Sequence, residues 1–166
     1  MFLVLACTAV CAAQGTTKQS DVPNLSGRWV AESIKLYSDS RSLRKADQDL
    51  KIEMLIVQSE NELKVNEMTI GDRGTYSRDA VYYLDGRGES NKGFTGGFKY
   101  ESKTVFRDQK LYIEATIQFP NSRGNSTQTE EWELSTDGKT LTIKTNNTGS
   151  RQNSPIRYEK VFRLAS

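Results

Sequence analysis

The chain has no histidine, and its two cysteines, Cys7 and Cys11, both fall in the first thirteen residues. Without imidazole there is no ordinary general base near neutral pH, and a Ser-His-Asp arrangement is impossible. Without a thiol beyond Cys11, thiolate nucleophiles and the usual zinc ligand sets are excluded from the rest of the chain, as is a disulfide within it. Charge of one sign is also lacking. Twenty-three basic residues stand against 21 acidic ones, a net charge of +2, which gives no electrostatic footprint for nucleic acid and no polybasic patch for a membrane surface. No apolar run approaches the roughly 20 residues of a membrane-spanning helix. The one adjacent carboxylate pair considered, Glu130-Glu131, would point to opposite faces of a strand and cannot act on one atom. The chain therefore reads as a non-enzyme with no catalytic residues, no metal and no cofactor.

What is present begins with MFLVLACTAVCAA, uncharged and apolar. Residues 1–13 read as a signal peptide, cleaved after Ala12 or Ala13 where small residues suit a signal peptidase. Export to the periplasm or the medium is the expected address. A second reading of the same stretch takes Val4-Leu5-Ala6-Cys7 as a lipoprotein box with Cys7 lipidated. Residues 14–24 are polar and read as a flexible lead-in, leaving 25–166 as one domain. A mean hydropathy of -0.64 is low for a thick core and fits a thin-walled β structure whose alternate residues face water.

Period-two patterning runs through that domain. The clearest case is Leu111 to Phe119, where Leu111, Ile113, Ala115, Ile117 and Phe119 share one face. Leu50 to Val57, Glu62 to Met68, Ala80 to Leu84, Phe98 to Phe106, Glu131 to Leu134, Thr140 to Thr145 and Ile156 to Leu164 repeat the pattern between turn-like segments. Asp137-Gly138 suits a hairpin turn with positive φ. Ser38 to Asp49 breaks the alternation and reads as a surface loop or lid. Gly86 to Gly97, with five glycines, reads as a flexible hairpin loop. The expectation is an all-β, antiparallel, up-and-down barrel of about eight or nine strands, since closure removes exposed edges.

Gly27-Arg28-Trp29 resembles the G-x-W signature that opens the first strand of lipocalins, avidins and fatty-acid-binding proteins. Tyr82-Tyr83-Leu84-Asp85-Gly86, Gly96-Gly97 and the run from Trp132 to Thr142 are similar to motifs of exported bacterial lipocalin-like domain proteins. The resemblance implies that Trp29 closes one end of the barrel, with Gly27 letting the chain approach closely and an arginine of the last strand, Arg163, packed over the indole. Arg157 is the reserve partner. Simple alternation, however, sets Arg163 on the face opposite Tyr158 and Phe162.

The same parity turns Ser126, Gln128 and Glu130 inward with Trp132, and Tyr100, Ser102 and Thr104 inward with Phe98 and Phe106. One sector of the interior is then polar. Tyr100, Ser102, Thr104, Gln128, Glu130 and Trp132 become candidate ligand-facing residues, or members of an internal network that satisfies itself. Two functions follow. The first is an exported monomer holding a small, partly apolar molecule in its interior. The second is a barrel plugged by its own aromatic side chains that acts through its surface, as a protein-binding or inhibitor module of the cell envelope. Interior volume separates the two.

Overall fold

The computed structural model describes residues 22–37, 50–72, 74–93, 97–119, 124–149 and 155–166. Ten strands follow one another along the chain: β1 (Gly27–Tyr37), β2 (Lys51–Gln58), β3 (Glu62–Gly71), β4 (Gly74–Tyr83), β5 (Glu89–Lys92), β6 (Lys99–Arg107), β7 (Lys110–Gln118), β8 (Asn125–Leu134), β9 (Thr140–Gly149) and β10 (Ile156–Leu164). They form a single sheet in the order β4-β3-β2-β1-β10-β9-β8-β7-β6-β5, and each named pairing is antiparallel.

The strand count of eight or nine is corrected to ten. Gly86 to Gly97 is not one loop, because it contains β5. Its sequence, Glu89-Ser90-Asn91-Lys92, escapes an apolar-alternation test because every side chain in it is polar. The later parts of β3 and β9 and the first halves of β4 and β8 escape it for the same reason: the side chains they turn inward include Glu67, Arg78, Gln128 and Asn147. The signal peptide of residues 1–13, both cysteines and the lid expected at 38–49 lie outside the described residues, as does most of the lead-in.

The two edge strands, β4 and β5, lie against each other and nearly close the sheet into a barrel. The seam is joined by side chains in place of a backbone ladder. Asn91 accepts from the Val81 N–H through Oδ1 at 2.9 Å and donates to the Val81 carbonyl through Nδ2 at 2.9 Å. Glu89 accepts the Tyr83 N–H at 3.2 Å, and its other oxygen takes the hydroxyls of Ser102 at 2.8 Å and Thr104 at 2.7 Å. These bonds blunt edges that would otherwise template pairing with another chain.

Alternation along antiparallel strands gathers the connections 59–61, 84–88, 108–109 and 135–139 at one end, here called the closed end. The turn Asp108-Gln109 has φ of 50° and 61°, the backbone of a two-residue hairpin whose twist matches its strands. Leu25, Trp29, Ile56, Leu63, Leu111, Trp132, Leu141 and Phe162 pack into the core on this side. The opposite end, where Tyr37, Lys51, Gly71, Gly74, Lys92, Lys99, Gln118, Asn125, Gly149 and Ile156 begin or end their strands, is called the mouth.

A bulge between Ala31 and Ser33 shifts the register of β1 against β10. Its effect is to keep Trp29 and Ala31 inward below the bulge and Ile34 and Leu36 inward above it. One strand thereby serves both halves of the interior.

Candidate functional site

Exposure divides the interior along the barrel axis. At the closed end the inward side chains are filled solid: Trp29 is 1 % exposed and Leu63, Leu141 and Phe162 are 0 % exposed. Toward the mouth, inward residues including Leu36, Tyr100, Ser126, Asn147 and Tyr158 are only half-buried. Lys160 marks the boundary. Its strand turns it inward between Tyr158 and Phe162, yet 26 % of its side chain remains accessible.

A charged layer crosses the interior at this level. Glu67 on β3 is 4 % exposed. Its Oε2 accepts Arg78 Nη2 at 3.1 Å and its Oε1 accepts Lys160 Nζ at 3.2 Å. Lys160 lies on β10, three strands away in the sheet order, so this pair spans the lumen. Burial pushes the Glu67 carboxyl up, but Lys160 and then Arg78 outweigh it and hold the group below the ordinary carboxylate range. Burial likewise pulls Lys160 down, and Glu67 with Glu130 more than restores it, leaving the ammonium above its usual range. The Arg78 guanidinium also sits 5.6 Å from the centroid of the Tyr100 ring.

Glu130 faces inward beside this layer and is held by two neutral donors, Gln128 Nε2 at 2.6 Å and Trp132 Nε1 at 2.8 Å. Glu131, on the other face of the same strand, pairs outward with Lys110 at 2.8 Å. Burial raises the phenols of Tyr100 and Tyr158, which therefore keep their protons at neutral pH and can donate. A void of about 10 Å³ lies among Arg78, Tyr82, Tyr100, Gln128 and Glu130, room for about one water molecule.

The six candidate ligand-facing residues divide accordingly. Tyr100, Gln128 and Glu130 reach the polar layer and are partly exposed. Ser102 lines the small void but commits its hydroxyl to Glu89. Thr104, 0 % exposed, and Trp132, 3 % exposed, belong to the filled half and do not reach open space. Trp132 packs edge-on against Tyr82 at 6.0 Å.

The closed end also differs from its expected form. Trp29 donates Nε1–H to the Leu25 carbonyl at 2.9 Å, which ties the segment just before β1 to the barrel floor. Gly27 has φ +145°, and a Cβ there would lie 2.5 Å from Leu164 Cδ1. Arg163 is not stacked over the indole from inside. It pairs with Val30 on the outer face, and its Nε donates to Glu32 at 2.9 Å. The bulge falls in β1 and leaves β10 in simple alternation, so Arg163 stays outside and Phe162 supplies the buried neighbour. Arg157, the reserve, is exposed as well.

Glu67, Arg78, Lys160 and Asn91 were missed from the sequence. A signal existed for two of them: Glu67 continues the parity of Leu63 and Val65, and Lys160 sits between Tyr158 and Phe162 on the inward face. On the outside, a hollow of about 650 Å³ crosses β6 to β10 and is lined by Lys103, Arg107, Tyr112, Glu131, Lys144 and Arg157, among others. Among the described residues no group of His, Cys, Asp and Glu is placed to hold a metal ion, and no helix is long and apolar enough to cross a membrane.

No protein-family profile matches the sequence, and no curated protein sequence is similar to it. Solved structures do resemble the fold. A fatty-acid-binding protein 1 of Echinococcus granulosus superposes with a TM-score of 0.53 over 85 % of this chain and 97 % of its own, at 10 % identity. A heat soluble (SAHS) protein of Ramazzottius varieornatus gives 0.52 over 84 % and 94 %, also at 10 % identity. At that identity the likeness concerns the fold: an all-β, nearly closed antiparallel barrel of the fatty-acid-binding-protein type.

Proposed function

We propose that this chain is a small-molecule-binding barrel whose ligand occupies the mouth half of the interior. The observation that carries the reading is the partial exposure of Lys160 and Tyr158, residues whose strand turns them into the lumen, above a closed half that is filled. The void of about 10 Å³ at the charged layer holds no ligand by itself, so binding requires the half-buried side chains of the mouth half to part. Ile34 and Leu36 supply apolar wall, and Tyr100, Tyr158, Asn147 and Gln128 supply polar groups that can fix orientation. A molecule with an apolar body and one polar end suits that division. The name of the Echinococcus granulosus neighbour, a fatty-acid-binding protein, supports an amphipathic ligand of this kind. The apolar, uncharged start of the chain supports export, with the barrel acting as a monomer outside the cytoplasm.

Native mass spectrometry of the full chain after incubation with mixed single-chain amphiphiles tests the proposal. An added mass that leaves on denaturation is expected, whereas a bare mass under every condition contradicts it. The outer hollow favours a second reading, a filled barrel that binds a protein partner by its surface; it gains ground on a bare mass together with capture of a partner that Lys103→Glu and Arg157→Glu abolish.

A further inference from the structure

The interior charges bear on which head group the open half accepts, an inference that rests on the interior-site reading. Among the described residues five charged side chains face inward: the carboxylates Glu67, Glu89 and Glu130, and the cations Arg78 and Lys160. Carboxylates outnumber cations by one. Both cations are already engaged by Glu67. Glu89 is consumed in the seam by three donors. Glu130 accepts from two neutral donors and acts through space on Arg78 and Lys160, so the two cations already answer to two inward carboxylates.

We propose that the open half selects by charge, taking an amphiphile with an uncharged hydroxyl or amide head and rejecting the same chain carrying a carboxylate. An anionic head could reach Lys160 only by displacing Glu67, leaving a buried carboxylate without its partner, which is costly. Otherwise it would add a further negative charge near Glu130 in a medium where like charges repel strongly. An uncharged head avoids both costs.

A second observation points the same way. Asn147 faces inward, and its amide is oriented by donating Nδ2–H to Gln128 Oε1 at 3.4 Å. The same amide also hydrogen-bonds the Tyr158 phenol, which burial keeps protonated, so the polar groups beside the open half are neutral and offer an anionic head no further cation.

The test is displacement of Nile red, an uncharged reporter, from the full chain near neutral pH by decan-1-ol and by decanoate. Decan-1-ol should compete at least about tenfold more tightly, and decanoate competing equally or better overturns the assignment. Glu67→Gln removes the carboxylate that Lys160 and Arg78 both contact while keeping the side-chain shape. In that variant decanoate should gain about tenfold while decan-1-ol changes little; no gain for decanoate also overturns it. Should Glu67→Gln not fold, Glu130→Gln tests the same idea by removing the other inward carboxylate that acts on those cations, with a gain for decanoate expected and its absence contrary. Failure of Nile red and both competitors to bind is a different result: it removes the interior site itself.

Discussion

The side-chain amide of Asn91 meets the backbone of Val81 at both its donor and its acceptor, 2.9 Å each, and so stands in for one rung of a β ladder between the two edge strands. With the Glu89–Tyr83 bond, this contact makes the barrel's closure depend on two residues of a four-residue strand. Asn91→Leu deletes both bonds and leaves two part-buried backbone groups without partners. The expected loss is about 1–3 kcal/mol, read as a lower urea midpoint together with faster hydrogen exchange at the Val81 amide. An unchanged Val81 exchange rate would show that the seam is held by other means.

Gly27 carries a second constraint. Its φ of +145° is one that side chains rarely adopt, and a methyl group would collide with Leu164 Cδ1 at 2.5 Å. Gly27→Ala should cost about 1–3 kcal/mol through backbone strain alone, with the collision added. Adding Leu164→Ala relieves only the collision, so thermal melts of the two single variants and the double should be non-additive. Strict additivity would separate Gly27 from Leu164.

Acid should act through Glu67. Its carboxyl lies below the ordinary range in the fold because Lys160 and Arg78 overcome the effect of burial. A folded value below the unfolded one means that the associated stability is complete above the unfolded carboxylate pKa, about 4.3. It is then lost as pH falls through the folded value. Urea midpoints measured from neutral to acidic pH should decline in the natural chain and decline less steeply in Glu67→Gln, which starts lower. Parallel curves would remove Glu67 as the source.

Trp132 belongs to the filled half and donates to Glu130 at 2.8 Å. Trp132→Phe keeps much of the packing but deletes one of the two donors on that carboxylate. A loss of about 1–3 kcal/mol is expected, seen in chemical denaturation, with amphiphile affinity unchanged because the ring lies outside the open space. A parallel fall in affinity would extend the site into the closed half.

How much of this was legible in the sequence follows from what alternation can report. Leu111 to Ile117 and Ile156 to Leu164 read correctly because their inward residues are largely apolar and contrast with polar neighbours. β5 did not, since Glu89 and Asn91 face inward and carry no hydropathy contrast with Ser90 and Lys92. Glu130 and Gln128 were placed on the correct face by parity from Trp132. Their partners were beyond reach, because Glu67 and Lys160 are 93 residues apart in the chain and meet only when the sheet curls. Alternation in β10 sets Arg163 on the face opposite Phe162, and it lies there; the family resemblance alone placed it over Trp29, and the bulge at Ala31 and Ser33 in β1 leaves β10 in phase.

Ser126 faces inward near the mouth, half-buried and paired in register with Ile117 and Gly149. Ser126→Trp should fill the open half without touching the Glu67 layer or the packed core. Nile red titrations of this variant beside the natural chain, with thermal melts as a control for folding, test the divided interior most directly. Affinity should fall by at least about tenfold while the melting temperature stays close to that of the natural chain. A folded Ser126→Trp chain that binds the dye with undiminished affinity would place the ligand outside the mouth half and contradict the division.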